Sequence, residues 1–282
     1  MRIGVTGATG FIGMHLVSAL KKRGSVVTLA RPKGLPGRRE LKQFVTETDL
    51  FFHLGGVNRG TDEEVLNGNI MATSRLLESI LKFGKSSARL VFASSSQVYH
   101  LANFETPIRE TKKVSPNNIY GISKQGAENL IRVSGLPYTI LRLANVYGPG
   151  CRPNYNSVVA TLCSRAVNDL PLTIDGEGRQ GRDFIYIDDV VRAFVLAGLE
   201  PLSGSGDVFN VSSGKVVSIK KIVSQIARLH KNTQVEFLRD KNKSDISYCC
   251  DASKFCEKFS WRPRTSFSKG IEQVLSYYQG EI

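Results

Sequence analysis

The chain has 282 residues, 41% of them hydrophobic and 22% charged, which excludes wholesale disorder and a small disulfide scaffold and leaves room for one large domain or two interlocked ones. No apolar run reaches the roughly 18 residues of a membrane span, and Met1-Arg2-Ile3-Gly4-Val5 opens straight into a strand-like run without signal-peptide anatomy, so a cytoplasmic protein is expected. Against 25 Asp and Glu stand 38 Lys and Arg, a net charge of +13, whose positive potential favours encounters with polyanions without choosing among nucleotides, nucleic acid and acidic lipid.

Residues 2–6, 26–30, 50–54, 90–94 and 139–143 are apolar, partly β-branched runs separated by helical patterns, the alternation of a buried parallel sheet. Only eighteen residues separate Ala30 from Asp49. They hold one helix, about 38–46, but not a helix, a strand and a further connection, so the sheet should be one strand short. Thr61-Asp62-Glu63-Glu64 reads as a capping box, followed by Leu66, Ile70, Thr73, Leu77 and Ile80 at helical spacing and Gly84 as a stop. After Val146 the turn-rich Tyr147-Gly148-Pro149-Gly150-Cys151-Arg152-Pro153 changes the texture. The expected division is therefore 1–146 as a first domain, 147–282 as a smaller mixed α/β lobe, and 183–198 packing back on the first. Within the lobe, Ser218 and Ser266 cap two amphipathic packing helices. The five cysteines form no C-x-x-C pair and fit incidental thiols in a reducing compartment, and no metal site is expected.

Val5-Thr6-Gly7-Ala8-Thr9-Gly10-Phe11-Ile12-Gly13 spaces its glycines G-x-x-G-x-x-G between the first strand and a helix bearing Ile12, Leu16, Val17 and Leu20. Gly7 permits the tight turn, Gly10 lets the backbone approach a pyrophosphate, and Gly13 lets helix and strand pack closely. The helix N-terminus is then aimed at the phosphates. Where an acidic residue would bind an adenosine ribose 2′-OH, the second strand ends in Arg31, followed by Lys33. A cation there suits a 2′-phosphate, so NADP(H) is expected over NAD(H).

Tyr120-Gly121-Ile122-Ser123-Lys124 places a phenol and an ammonium on one helical face. Upstream, Ser94-Ser95-Ser96-Gln97-Val98-Tyr99 delivers hydroxyls at a strand's carboxyl end, where α/β sheets bind ligands.

Together these pieces resemble the extended short-chain dehydrogenase/reductases, the epimerase/dehydratase family that modifies nucleotide sugars. The likeness covers nearly the whole chain. It includes Asp49 to Gly56 (D-x-x-F-H-L-x-G), Asn145-Val146-Tyr147-Gly148-Pro149, the run Gly176 to Val190 against the family's "GxGxQxRDFIYVDDV", and Asp251-Ala252-Ser253-Lys254 with Trp261-Arg262-Pro263. The resemblance implies a Rossmann-type doubly wound sheet with a nucleotide-sugar-binding lobe. It makes Tyr120 the proton donor or acceptor, Lys124 the holder of the nicotinamide ribose, and Ser95 the hydrogen-bond partner of the reacting sugar oxygen. Gly7, Thr9, Gly10, Phe11, Ile12, Gly13, Arg31, Leu54, Gly55, Gly56, Tyr120 and Lys124 would line the cofactor, and Ser95, Ser96, Gln97, Asn145 and Arg182 the substrate. Arg182 resembles the arginine that grips the diphosphate, whereas the further phosphate-binding arginine of the family has no counterpart in Lys241-Asn242-Lys243-Ser244-Asp245. A cation about 4 Å from a phenol, at an effective dielectric of ~20, contributes roughly 4 kcal/mol and would bring Tyr120 down from ~10 towards neutrality.

The family's 4,6-dehydratases carry Asp-Glu after the catalytic hydroxyl; this chain has Ser96-Gln97, which argues against dehydration. A 4-keto-6-deoxyhexose or N-acetylhexosamine nucleotide reductase is the first expectation, on Arg31 and on the likeness of His53-Leu54-Gly55-Gly56-Val57-Asn58-Arg59 to the "HLAGVNR" of capsular-polysaccharide reductases. A 4-epimerase is the alternative, and a non-catalytic RNA-binding relative is an alternative of another class, opposed by the intact Tyr120 and Lys124. The resemblance also implies a homodimer paired through the helix carrying Tyr120 and the one beginning near Thr61. The choice of sugar would lie in the loops around Arg59, 100–103 and 151–156.

Overall fold

The computed structural model describes residues 1–29, 37–99, 107–155, 157–200, 204–231, 233–238 and 246–280. In chain order the first half forms β1 (Arg2–Thr6), α1 (Phe11–Lys21), β2 (Ser25–Leu29), α2 (Arg38–Thr46), β3 (Leu50–His53), α3 (Asp62–Leu66), a π-turn (Asn67–Met71), α4 (Ala72–Phe83), β4 (Arg89–Ser95), a 3₁₀ turn (Ser96–Val98), α5 (Ile119–Val133) and β5 (Tyr138–Leu143). There follow β6 (Asn145–Tyr147), α6 (Val158–Val167), β7 (Leu172–Asp175), β8 (Gly181–Tyr186), α7 (Ile187–Leu199), β9 (Gly206–Val211), β10 (Val216–Ser218), α8 (Ile219–Leu229), β11 (Val235–Leu238), α9 (Ser253–Phe259) and α10 (Phe267–Gln279).

Six strands pair in parallel in the order β2-β1-β3-β4-β5-β9. β3 is buried along its whole length, and β4 and β5 along nearly all of theirs, because helices cover both faces. Leu41, Phe44 and Val45 of α2, Leu76, Leu77 and Ile80 of α4 and Ala127 and Ile131 of α5 fill one face. Leu16 and Leu20 of α1 with Val190 and Phe194 of α7 fill the other. This is the doubly wound arrangement expected. Among the described residues one strand, β2, lies outside β1, which makes the sheet one strand shorter than the usual pattern. β9 closes the opposite edge in register with β5, from Tyr138 opposite Gly206 to Leu143 opposite Val211.

The smaller sheets, β10-β8-β6 and β11-β7, carry α6, α8 and α10. One apolar core runs from Ile3 and Leu141 through Phe184 and Ile187 to Ile222 and Val274, so the smaller sheets are continuous with the first. The helix starts follow local chemistry. Thr61 and Glu64 form both bonds of the capping box, and the Ser218 and Ser266 hydroxyls accept from Lys221 N and Lys269 N. Cys151, Cys163, Cys249 and Cys250 are buried, Cys256 is half-buried, and all five are free. Among the described residues no helix is long and apolar enough to cross a membrane, and no three His, Cys, Asp or Glu side chains converge as a metal site would need.

Candidate active site

At the end of β1, Gly7 takes φ +69°, a left-handed conformation that costs glycine little. Its N–H donates to Leu29 O at 3.1 Å, and Gly10 N donates to Gly7 O at 2.9 Å. A Cβ on Gly7 would lie 2.6 Å from Gly55 N, and one on Gly13 would run into Gly7 O and lie 2.9 Å from Ala8 Cα. Backbone therefore meets backbone where β1, α1 and the segment after β3 converge. Gly10, the N-cap of α1, offers no side chain to the first-turn N–H groups. A concave, amide-lined cradle that side chains would fill fits the diphosphate of a dinucleotide. Thr9 is exposed beside this turn, Ile12 is half-buried, and Phe11 packs edge-on to His15 at 5.6 Å. Arg31 and Lys33 lie outside the described residues.

Behind the cradle runs a directed chain of hydrogen bonds. Thr73 Oγ1 donates to Asn69 O at 2.6 Å, so it must accept from His53 Nε2 at 2.9 Å. His53 Nδ1 is then the acceptor from Thr6 Oγ1 at 2.6 Å, and Thr6 Oγ1 in turn accepts from Gly55 N at 3.2 Å. Burial, with the Lys124 charge adding to it, pushes His53 down to about 3, consistent with a neutral ring locked in one tautomer. Asn69 continues the chain: its Oδ1 accepts from Val57 N at 3.0 Å, its Nδ2 donates to Ser123 Oγ at 2.8 Å, and Ser123 Oγ donates to Tyr120 O at 2.8 Å. The segment after β3 and the first turn of α5 are thus joined through one buried asparagine.

The N-cap Asn118 accepts from Gly121 N at 2.8 Å. Gly121 allows α5 to press its first turn on the Ser96–Val98 turn, since a Cβ there would run into Gln97 O. This contact brings Tyr120 against Ser95, and their hydroxyls hydrogen-bond. Ser95 Oγ also accepts from Gln97 N at 3.2 Å. Lys124, only 4% exposed, donates from Nζ to Ala93 O at 2.9 Å and sits 4.8 Å above the Phe92 ring and 5.8 Å from the Tyr120 ring centre. Gly56 faces it closely enough that a Cβ would be 3.2 Å from Nζ. Tyr120, Ser95, Lys124 and Gly56 therefore meet at the carboxyl end of β4.

The ionisation expected of Tyr120 is corrected by this geometry. Burial pushes the phenol up to about 12, partly offset by the Ser95 hydrogen bond, and electrostatic interaction with Tyr155 adds to the rise. Lys124 does not bring it down. Burial pushes the amine itself down to about 8 against the pull of Glu128, and its Nζ is engaged by the Ala93 carbonyl. The desolvation of a phenolate outweighs a partly desolvated ammonium placed farther away than the spacing suggested.

One turn beyond Lys124, Glu128 takes a bidentate pair from Arg142, Nε to Oε1 at 2.9 Å and Nη2 to Oε2 at 2.7 Å, and a hydrogen bond from Ser94 Oγ at 2.6 Å. Arg142 Nη1 donates to Tyr99 OH at 3.0 Å, and Tyr99 OH donates to Asn210 Oδ1 at 2.8 Å. α5 is thereby bolted to β4, β5 and β9.

Ser96, Asn145 and Arg182 gather elsewhere, around Tyr248. The Ser96 hydroxyl bonds the buried Tyr248 phenol. Asn145 Nδ2 donates to Asp183 O at 2.9 Å and to Tyr248 OH at 3.5 Å. Arg182 lies 5.3 Å over the Tyr248 ring, its Nη1 donating to Gly181 O and Ile246 O. Gln97 is half-buried, and the backbone of Leu54 and Gly55 lies against Gly7, within 2.8 Å of where a Cβ there would stand. Asn69, His53 and Tyr248 were not expected at the site. Gly68-Asn69 inside a helical pattern was the available signal for the first; nothing local marks Tyr248.

A model of the NAD dependent epimerase/dehydratase family matches residues 3–212. A UDP-2-acetamido-2,6-beta-L-arabino-hexul-4-ose reductase of Pseudomonas aeruginosa is 37% identical over 202 residues, 69% of this chain and 49% of that protein, so the chain spans about half the length of that relative. An uncharacterized UDP-glucose epimerase of Bacillus subtilis is 31% identical over the whole of both chains. The solved UDP-glucuronic acid 4-epimerase of Bacillus cereus, in complex with UDP-glucuronic acid and NAD, superposes with a TM-score of 0.88 at 28% identity over 100% of both chains. Six solved structures similar to this chain, that one included, hold NAD. They overturn the expectation of NADP(H). Positive charge at Arg31 is compatible with a 2′-phosphate but does not demand one, and in a chain of net charge +13 a cation after the second strand carries little selectivity. On the match of its family model, across the glycine cradle and the Tyr120–Lys124 helix alike, this chain belongs to the NAD dependent epimerase/dehydratase family.

Proposed function

We propose that the chain is an NAD-dependent oxidoreductase acting at C4 of a nucleotide-linked sugar, and that it runs as a 4-epimerase. The observation that carries this reading is the Ser95–Tyr120 hydroxyl pair beside Lys124, facing Gly56 and the glycine cradle. Gly7, Gly10 and Gly13 would hold the diphosphate of NAD, with Thr9, Phe11 and Ile12 at the helix start and Leu54 to Gly56 opposite; Lys124 would hold a ribose. Bound NAD supplies the hydride acceptor and, when oxidised, a positive ring beside the phenol. Ser95 holds the C4 oxygen in line with Tyr120, and Tyr120 takes its proton and returns it after the sugar has turned. A phenol pushed up to about 12 is the donor form at neutral pH and suits the return step, protonation of the C4 oxygen; taking the proton in the forward step needs the phenolate, which burial opposes and the positive ring of bound oxidised NAD would favour. Arg182 and Asn145, with Ser96 and Gln97, would take the nucleotide-sugar side, the Arg182 fork on the diphosphate. The lobe 147–282 then serves the sugar nucleotide and 1–146 the dinucleotide.

Reduction of a 4-keto sugar nucleotide is a second reading, supported by the Pseudomonas relative. A homodimer belongs to the same proposal: Met71 and Ile122, each 45% exposed, lie on the helical segments expected to pair. The test is incubation with NAD and UDP-glucose or UDP-glucuronate, followed by proton NMR. Appearance of the C4 epimer without net cofactor change is the expected result. Stoichiometric loss of NADH with a 4-keto substrate, and no epimer, would establish the reductase instead.

A further inference from the structure

Away from the site described above, α1, α7 and the segment from Phe259 to Arg264 enclose an open groove of about 710 Å³. It lies at the far end of α1 from the glycine cradle, and α1, with its 11 residues, is about 16 Å long. This is the amino edge of the sheet, where Arg89 at the start of β4 donates to Glu200 O at 2.7 Å. The floor is apolar: Val191, Val195 and Leu199 stand at i, i+4 and i+8 on one face of α7, a straight stripe of about 12 Å. The wall is fixed by the buried Asp189. Its carboxylate accepts from Arg264 N at 2.8 Å and Thr265 N at 3.0 Å, and its carbonyl accepts from Trp261 Nε1 at 3.3 Å. Arg192 pairs with the same carboxylate, Nη2 to Oδ1 at 2.6 Å. Lys22, Arg23 and Arg264 line the groove too, are exposed, and have no carboxylate partner among the described residues. Glu200 is the one acid that lines it with them.

We propose that this groove is a second ligand site, which takes a soluble anionic amphiphile: a phosphate or carboxylate head among Lys22, Arg23 and Arg264, and an alkyl chain along the α7 stripe. The assignment is independent of the reaction at C4. Covering the stripe removes apolar surface from water, and the unpaired cations favour a head of opposite charge. A bare anion would leave the stripe wet, and a neutral apolar ligand would leave the cations unmatched. Because Asp189 already holds the wall in place, binding does not have to order it.

Trp261 is the only tryptophan of the chain and lines the groove, so its fluorescence reports on this place alone. The full chain, with NAD present, is titrated with inorganic phosphate, hexyl phosphate, octyl phosphate and the neutral octyl glucoside. Octyl phosphate should bind saturably, about tenfold tighter than hexyl phosphate through its two further methylenes and at least about tenfold tighter than octyl glucoside. Inorganic phosphate should give no saturable change over the same range. Lys22→Gln, Arg23→Gln and Arg264→Gln combined should weaken octyl phosphate about tenfold and leave octyl glucoside within about twofold. All three side chains are exposed, so the variant should fold, and the ligand series on wild type decides the matter without it. No response to octyl phosphate, equal affinity for octyl and hexyl phosphate or for octyl phosphate and octyl glucoside, or undiminished binding by the folded variant would each overturn the inference. Recruitment to phosphatidylglycerol vesicles without a response to octyl phosphate would overturn it as well, in favour of a bilayer surface.

Discussion

The buried imidazole of His53 makes a testable demand on stability. Its ring is 2% exposed, accepts at Nδ1 from Thr6 and donates at Nε2 to Thr73, and burial pushes its pKa down to about 3 from an ordinary 6.5. Between those values the unfolded chain binds a proton that the folded chain refuses, so stability falls as the pH falls. At pH 5 the unfolded histidine is almost fully protonated and the folded one is not, a difference of about 2 kcal/mol, against about 0.2 kcal/mol at pH 7. The figure at pH 5 hardly depends on the folded value as long as that lies below about 4, and the full effect, approached near pH 3, is about 5 kcal/mol. Urea unfolding of wild type and His53→Gln at pH 7 and pH 5 isolates the contribution, since other groups titrate alike in both. The variant should be less stable at pH 7 yet lose about 2 kcal/mol less than wild type on acidification to pH 5. Equal acid losses would mean that His53 is not held neutral, and the directed chain from Gly55 to Asn69 would have to be redrawn.

Gly13→Ala, whose methyl would run into Gly7 O, should lower NAD affinity at least about tenfold by fluorescence titration; unchanged affinity would remove the diphosphate from this turn. Tyr120→Phe should slow C4 turnover by about 10²–10⁴-fold while leaving sugar-nucleotide affinity within about twofold, measured by NMR assay and calorimetry, and retention of rate would refute the phenol's role. Glu128→Gln should cost about 3–5 kcal/mol in urea unfolding, because it strips a buried Arg142 of its carboxylate; a loss under about 1 kcal/mol would show that the pair does not fasten α5.

Features governed by neighbours in sequence were legible before the fold was known. Five strands announced themselves as apolar runs, α2 fell on residues 38–46, and three helix starts followed from Thr61, Ser218 and Ser266, whose side chains act on N–H groups three positions away. The short stretch between the second and third strands was enough to remove a strand from the sheet. The π-turn at Asn67–Met71 was not legible, because an extra residue inside a helix leaves the apolar spacing intact while rotating Asn69 inward to the site. β9 depends on pairing with β5 more than sixty positions earlier, which no local pattern records. The rise of the Tyr120 pKa was missed for a related reason. Spacing tells which groups share a helix face, whereas desolvation depends on everything packed around them. Arg31 shows the limit in the other direction, a charge plain in the sequence whose partner was not.

The two C4 readings differ less in machinery than in fate. Both need a hydroxyl to hold the oxygen, a phenol to move its proton and a lysine at the cofactor, and Ser95, Tyr120 and Lys124, in the roles proposed for them, would serve either. What separates them is whether the oxidised sugar can turn over within the site and be reduced from its other face before the ligands part. That requires space and alternate contacts for the sugar, and the loop 148–155 is tied through Asn154 both to Arg59, in the segment after Gly56, and to Thr161 of α6. A loop tied from both sides can bound such a turn without closing on it, whereas a reductase gains from gripping a single pose. Arg59→Met, which unties that loop from the segment after Gly56, should therefore shift the balance between epimer formation and release of the keto sugar more than it slows proton transfer at Tyr120, and an unchanged balance would refute a role for the loop in the choice.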